Sequence, residues 1–231
     1  IAYTSRQANI SDPTFAEKDK DYQKLTKKKY AKYLYNKYDN IYQKENESKD
    51  TTSFVVVDKN GMVVSCTNTL GELFGSKKYV GGFFLNNSSA NFNENENSIN
   101  SYAPKKQSRT FISPAIITKG DDYIMGIGSP GANSIPQVLA QVINANLRNG
   151  IDLEDAVKMN RFLFDGNQVL SEEMISSDII SQIMDDGKNY SIVQDKSKLL
   201  YGSIHAIVKD RNEGIYGISD SRRRGEYKVK Y

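Results

Sequence analysis

The chain has 231 residues, 38% of them hydrophobic and 26% charged, with a net charge of +3, a composition that predicts a soluble folded protein. Residues 1–50 carry eleven Lys/Arg against eight Asp/Glu, so the whole positive surplus lies there and the rest of the chain is balanced. With no clustered basic face, that balance speaks against nucleic acid as a partner. One cysteine, Cys66, excludes a disulfide within the chain, and no apolar run approaches the roughly 20 residues of a membrane span.

The first fifty residues read as helical and polar. In TKKKYAKYLYNKYDNIYQK, Tyr30, Tyr33, Leu34, Tyr38, Ile41 and Tyr42 recur at helical spacing, with lysines on the other faces. KENESKD follows as an exposed linker. FVVV and MVVSCTN then predict a hairpin closed by DKNG, where Asn60-Gly61 tolerates the positive φ of a tight turn. Cys66 falls in its second strand and reads as a small buried hydrophobe. FGSKKYVGGFFLNN is glycine-punctuated. SSANFNENENSINSYAPKKQS is Asn-rich and aperiodic, the pattern of a flexible surface loop.

SPAIITK and YIMGIGS predict a second hairpin across KGDD, running into SPGANS and a helix. Ile135, Val138, Leu139, Val142, Ile143 and Leu147 form its apolar stripe, and Asn149-Gly150 stops it. A shorter helix starts at the N-cap Asp152. A third carries Ile175, Ile179, Ile180 and Ile183 and ends at Gly187. GSIHAIVKD and GIYGISD close the chain as a last hairpin, with the lone His205 as a structural strand residue. Three hairpins with short connections imply antiparallel neighbours. Helices between them imply an α+β arrangement in layers. The first residue is Ile rather than Met, which reads as a fragment, and no signal peptide starts the chain.

One position carries chemistry. The first strand opens on Thr51-Thr52, after the charged linker. A threonine hydroxyl is a weak nucleophile that needs a base. At a chain terminus its own α-amine serves, since that amine titrates at about 7.7–8.0. An internal Thr51 would first have to attack the carbonyl of Asp50 and break that peptide. Thr-Thr at the start of a strand is also ordinary β-propensity. Two further features weigh on the choice. Thr69 lies at the far end of the same hairpin, placed to return beside Thr51. Gly128-Ser129-Pro130-Gly131-Ala132 follows a strand and opens a helix, so its backbone N–H groups can face a developing oxyanion. A plain strand-to-helix turn would read the same. No cofactor motif appears, and one His and one Cys give no metal-ligand spacing.

Taken together these pieces resemble the γ-glutamyltransferase (γ-glutamyltranspeptidase) family of N-terminal nucleophile hydrolases. TTSFVVVDKNGMVVSCTNTL is similar to the start of the family's small subunit. FGS, FLNN, SPAI, the GSPG turn, QVLAQVINANLRNGIDLEDAV, NRF and YGISDSR follow in the family's order, and AYTSRQANISDPTF resembles a stretch near the end of the large subunit. The resemblance implies a four-layer αββα sandwich. Residues 1–50 would be the tail of the large subunit, and 51–231 the small, catalytic subunit. It implies self-cleavage at Asp50–Thr51, followed by attack of Thr51 on the γ-carbonyl of a γ-glutamyl amide. Thr69 would support the nucleophile, and the N–H groups of Gly131 and Ala132 would form the oxyanion hole.

The resemblance places donor contacts at Gly71, Ser88, Asn91, Thr110 and Phe111, and there the chain departs from the pattern. Ser53 replaces the histidine usual after the two threonines. Gly71 replaces an Asn, Asn91 an Asp, and Thr110-Phe111 a Ser-Ser pair. A lost charged contact costs about 1.5–3 kcal/mol. The segment from Asn91 to Ser113 is short for a lid. The implied partners are a small γ-glutamyl donor or poly-γ-glutamate and the remainder of the large subunit, with no cofactor and no metal. Relatives are mostly exported, and the Lys/Asn/Tyr-rich composition suggests an AT-rich bacterial genome. Three readings stand: a γ-glutamyl hydrolase or transpeptidase, a poly-γ-glutamate depolymerase of the same family, and an uncleaved, inactive homologue serving as a structural or interaction module.

Overall fold

A computed structural model describes residues 2–16, 21–37, 50–166, 168–184 and 191–230. The contacts divide the chain into two compact units, Ile1–Glu47 with Asn87–Thr110, and Ser48–Asn86 with Phe111–Tyr231.

In the first unit lie the helices α1 (Ala2–Asn9) and α2 (Lys28–Lys37). The spacing predicted for α2 holds at Leu34, which is buried, while Tyr33 is exposed. Tyr38, Ile41, Tyr42 and the KENESKD linker lie outside the described residues. The Asn-rich segment is more built than a flexible loop. Backbone N–H groups of Asn95 and Asn97 donate to the side chains of Asn93 and Asn95. Asn100, only 1% exposed, donates to the Asn91 carbonyl and accepts from the Arg109 N–H. Polar composition misled because asparagine supplies its own backbone partners. Buried Asp12 accepts from Thr14 and from the Gln107 N–H, tying the two stretches of this unit together.

The second unit opens with the hairpin of β1 (Asp50–Val57) and β2 (Val63–Gly71), followed by a small exposed hairpin of β3 (Tyr79–Val80) and β4 (Phe83–Phe84). Next come β5 (Ala115–Lys119), β6 (Tyr123–Gly128), α3 (Ile135–Leu147) and α4 (Leu153–Lys158). Then follow β7 (Phe162–Asp165), β8 (Gln168–Ser171), α5 (Ser177–Met184), β9 (Ser191–Gln194), β10 (His205–Asp210) and β11 (Gly214–Ser219). The central sheet has the order β11-β10-β6-β5.

Alternation along β6 sets the layering. Met125 and Ile127 point to one face and join Ala206 and Val208 of β10 under Ile135, Val138, Leu139 and Val142 of α3 and Leu153, Ala156 and Val157 of α4. Gly126 and Gly128 point to the other face, where the β1–β2 hairpin lies on the sheet. A methyl at Gly126 would sit 2.5 Å from Val55 Cγ1 and 2.8 Å from Val63 Cγ1, and one at Gly128 would sit 2.3 Å from Ser53 Oγ. The glycines let the two sheets approach closely. Ser65 Oγ donates to the Ile127 carbonyl across the same gap. This is α/β/β, three of the four expected layers. The outer face of the hairpin carries Phe54, Val56 and Val64, all exposed.

Several expectations are corrected. β7, β8 and β9 form a third sheet that the sequence reading missed, because its strands are only four residues long. Its β8–β9 pair is parallel, not antiparallel, since α5 provides the crossover that a parallel pair requires. Ile175 precedes α5, and Ile179 is half exposed. The side chain of Ile183 and Gly187 lie outside the described residues. In α3, Leu147 leaves the buried stripe in the last turn, 47% exposed. Cys66 is only partly buried. The side-chain amides of Gln137 and Gln141 of α3 each donate to and accept from the backbone of Phe164 and Phe162, covering the free edge of β7.

Candidate active site

β-Branched residues on both arms of the first hairpin keep it extended, and its register sets Thr51 opposite Thr69. The ladder shifts by one residue between Asp50 and Thr51, so Asp50 pairs with Gly71. Such a bulge re-aims the strand locally. At this point Thr69 Oγ1 donates to the carbonyl oxygen of Asp50 at 2.7 Å and accepts from the Gly71 N–H at 2.9 Å. The Asp50 carbonyl belongs to the peptide that self-cleavage would break. A hydroxyl donating to it draws electron density from its carbon and faces the oxygen on which negative charge would grow.

Asp50, Thr51, Thr69, Glu72, Phe74 and Arg223 are among the residues lining one cleft of about 480 Å³. Arg223 sits in the turn after β11, and nothing in the sequence reading singled it out. Burial pulls its pKa down and the Asp50 carboxylate opposes that. The signal that could have found it is the run Arg222-Arg223-Arg224 after Asp220.

The other predicted residues fall elsewhere. Gly131 and Ala132 lie between β6 and α3, with Ala132 buried, and neither lines the cleft in the uncleaved chain. The turn is narrow: a methyl on Gly131 would sit 2.6 Å from Ser134 Oγ and 3.2 Å from Gly202 Cα. Ala132 adopts φ +52°, the left-handed region where a side chain is strained. Phe111 is 2% exposed, a core ring rather than a wall of an open cleft. Gly71 contributes its backbone N–H. Ser88, Asn91 and Thr110 belong to the first unit. There Ser88 and Asn91 share a 3-10 turn and accept through their carbonyls from Ser108 and Asn100. Ser53, where the resemblance expects histidine, is buried with its hydroxyl 3.3 Å from that of Thr67.

A buried ion cluster anchors the turn that carries Arg223, with Asp220 as its N-cap. Asp220 receives Arg161 Nη2 at 2.6 Å, with both side chains 1% exposed, and also the backbone N–H groups of Ile204 and Arg222. Burial alone would raise its carboxyl pKa; Arg161 and those two N–H groups outweigh it and hold the pKa below the usual value. Arg222 adds a bidentate pair with Glu172, at 2.5 and 2.6 Å. Among the described residues no group of three His, Cys, Asp or Glu side chains is placed to hold a metal, and no helix is long and apolar enough to cross a membrane.

Residues 1–229 match the Gamma-glutamyltranspeptidase family. The chain is 38% identical to the capsule biosynthesis protein CapD proenzyme of Bacillus anthracis, over 99% of its own length and 42% of that protein's. It is 29% identical to the glutathione hydrolase proenzyme of Bacillus subtilis, over 79% of its own length and 31% of that protein's. The crystal structure of the Bacillus anthracis transpeptidase CapD superposes with a TM-score of 0.65 at 37% identity, covering 78% of this chain and 99% of that one. The chain thus spans less than half the length of the curated relatives it matches. It belongs to the gamma-glutamyltranspeptidase family of N-terminal nucleophile hydrolases.

Proposed function

We propose that this chain carries the catalytic part of a γ-glutamyl amide hydrolase or transpeptidase, made competent by cleavage of its own Asp50–Thr51 bond. The observation that carries the reading is the 2.7 Å bond from Thr69 Oγ1 to the Asp50 carbonyl, with Thr51 opposite Thr69 in the register. Thr51 Oγ1 adds to the Asp50 carbonyl carbon, and Thr69 stabilises the oxyanion. The intermediate expels the Thr51 nitrogen, leaving an ester between the Asp50 acyl group and the threonine oxygen. Water hydrolyses that ester. Asp50 becomes a C-terminal carboxylate, and Thr51 gains a free α-amine that can act as its base.

In turnover the Thr51 oxygen adds to the γ-carbonyl of the donor. The N–H groups of Gly131 and Ala132 take up the oxyanion, as the family resemblance assigns them. The donor amine leaves with a proton, and the γ-glutamyl ester passes to water or an acceptor amine. The coverage of the solved CapD chain supports the start at Thr51: the 78% matched is the share that residues 51–231 make of the whole. On this reading residues 1–50 end the large subunit, and the remainder of that subunit covers Phe54, Val56 and Val64 as the fourth layer.

Within this class a poly-γ-glutamate depolymerase or transpeptidase is the more specific reading. Identity to the CapD proenzyme is 38%, against 29% for the Bacillus subtilis glutathione hydrolase. An uncharged Asn91 fits an internal residue of such a polymer, which has no free α-amine. The test is made on the full-length protein. Intact-mass measurement should show a fragment beginning at Thr51, and Thr51→Ala should abolish both the fragment and turnover. A single chain that never splits supports the inactive reading instead. Glutamate release from glutathione, against shortening of poly-γ-glutamate, separates the two enzymatic readings.

A further inference from the structure

Two successive arginines of one turn line two different clefts. Arg223 lines the cleft of Thr51, and Arg222 lines a larger one of about 620 Å³, also bordered by Glu154, Glu172, Lys196 and Lys198. The charges of the larger cleft are mostly settled in place. Glu172 is paired with Arg222, Glu154 with Lys158, and Asp220 with Arg161. Lys196 and Lys198 are exposed and make no ion pair among the described residues; Glu173 is the one lining acid likewise unpaired. Neighbouring Asp195 does not line the cleft, and its carboxylate is engaged by the Ser197 N–H. The clefts meet at neighbouring residues: Arg223 follows Arg222, and its guanidinium donates to the carbonyl of Leu199, which follows Lys198. Lys198 is thus the chain neighbour of a residue bonded to Arg223, and Lys196 lies two residues further along the same wall of the larger cleft.

We infer that the larger cleft is a distal subsite for an acidic polymer, holding the α-carboxylates of γ-linked glutamate residues beyond the bond at Thr51. The inference rests on the γ-glutamyl reading above and narrows it. A donor with a single γ-glutamyl unit ends inside the Thr51 cleft. A γ-linked polymer carries one carboxylate per residue, so it alone offers further charges to the unpaired lysines of the second cleft. Exposed lysines suit this task, because each contact is weak and the chain can shift between cuts.

The experiment uses the full-length protein and the double variant Lys196→Gln/Lys198→Gln. Two substrates are compared, γ-glutamyl p-nitroanilide and a defined oligomer of γ-linked glutamate. The expected result is a rise in KM for the oligomer of roughly 2- to 30-fold, from two exposed ion pairs, with kcat and the small substrate unchanged. High salt, which shortens the screening length to a few Å, should erase the difference. A fluorescent oligomer binding the uncleavable Thr51→Ala protein should lose affinity to the same degree when both lysines are changed. An unchanged oligomer KM, or equal losses on both substrates, overturns the subsite. So does single-stranded DNA of matched charge binding as tightly as the oligomer. If the unmodified protein turns over neither substrate, the γ-glutamyl reading fails, and the binding measurement still decides the cleft.

Discussion

Replacing Thr69 by valine keeps the shape of the side chain and its strand preference but removes the hydroxyl that reaches the Asp50 carbonyl at 2.7 Å. Only the part of that bond that strengthens toward the transition state contributes to rate. A neutral hydrogen bond is worth about 0.5–1.5 kcal/mol and one to a charged group about 1.5–3 kcal/mol, so the gain on forming the oxyanion is about 1–2 kcal/mol. That corresponds to self-cleavage slowed roughly 5- to 30-fold. It lies below the roughly 100- to 1,000-fold of a fully enclosed oxyanion donor, in keeping with Thr69 standing partly open in its cleft. The Gly71 N–H also loses its 2.9 Å acceptor, for a further loss of about 1 kcal/mol in stability. Thr69→Ser keeps both bonds and should process near the normal rate. The assay is the time course, by intact mass, of the fragment beginning at Thr51 in freshly made full-length protein. If Thr69→Val splits as fast as the unmodified protein, the bond plays no part in cleavage. If Thr69→Ser, which keeps the hydroxyl, is as slow as Thr69→Val, the loss cannot be assigned to the hydroxyl.

Gly126→Ala should cost about 1–3 kcal/mol through overpacking, because the new methyl meets Val55 and Val63 at 2.5 and 2.8 Å; urea unfolding measures it. Ala132→Gly should raise stability by up to about 1 kcal/mol, the relief of a left-handed alanine offset by glycine's greater chain entropy, while Ala132→Val should lower it; thermal unfolding distinguishes the two. The single histidine, His205, has its pKa pulled below 6.5 by burial, opposed by Asp220, so its lone imidazole NMR signal should titrate with a midpoint under that value. The folded state then binds fewer protons than the unfolded one. Stability therefore falls as pH drops through 6.5 toward the folded pKa, and His205→Gln should remove that slope; a midpoint at or above 6.5 contradicts the burial argument.

How legible each part was follows the range of the interaction that makes it. β1, β2, α3 and α4 are set by local signals: β-branched runs, the Asn60-Gly61 turn, the Asp152 cap and an apolar stripe at helical spacing. Their expected positions match the structure to within about three residues. The β7–β9 sheet was not legible. Strands of four residues carry too little periodicity, and their pairing depends on the α5 crossover and on the glutamines of α3. The Asn-rich segment was misjudged because side-chain-to-backbone bonds leave no hydrophobic pattern. At the site, Thr51 and Thr69 could be paired from the hairpin alone. Arg223 could not, since it comes to Asp50 from the far end of the chain.

The buried pair of Arg161 and Asp220 explains why that distant turn can be part of the site. A charge pair taken wholly out of water adds little net stability, but it fixes its neighbours in one arrangement. Asp220 binds the Ile204 N–H, and Arg161 also holds the Tyr201 and Val157 carbonyls. Between Tyr201 and Ile204, the Ser203 N–H reaches Ser129 Oγ at 3.0 Å. Gly202 is confined in turn, since a methyl there would meet Ser129 Oγ and the Pro130 carbonyl. The turn that presents Arg223 and the turn that presents Gly131 and Ala132 are thus anchored to the same four residues. Moving either one requires breaking its bonds to that shared segment. On the proposed reading, Thr51 acts against an oxyanion turn held in this frame, and Ser65 Oγ on the Ile127 carbonyl ties its hairpin to the strand that leads into that turn.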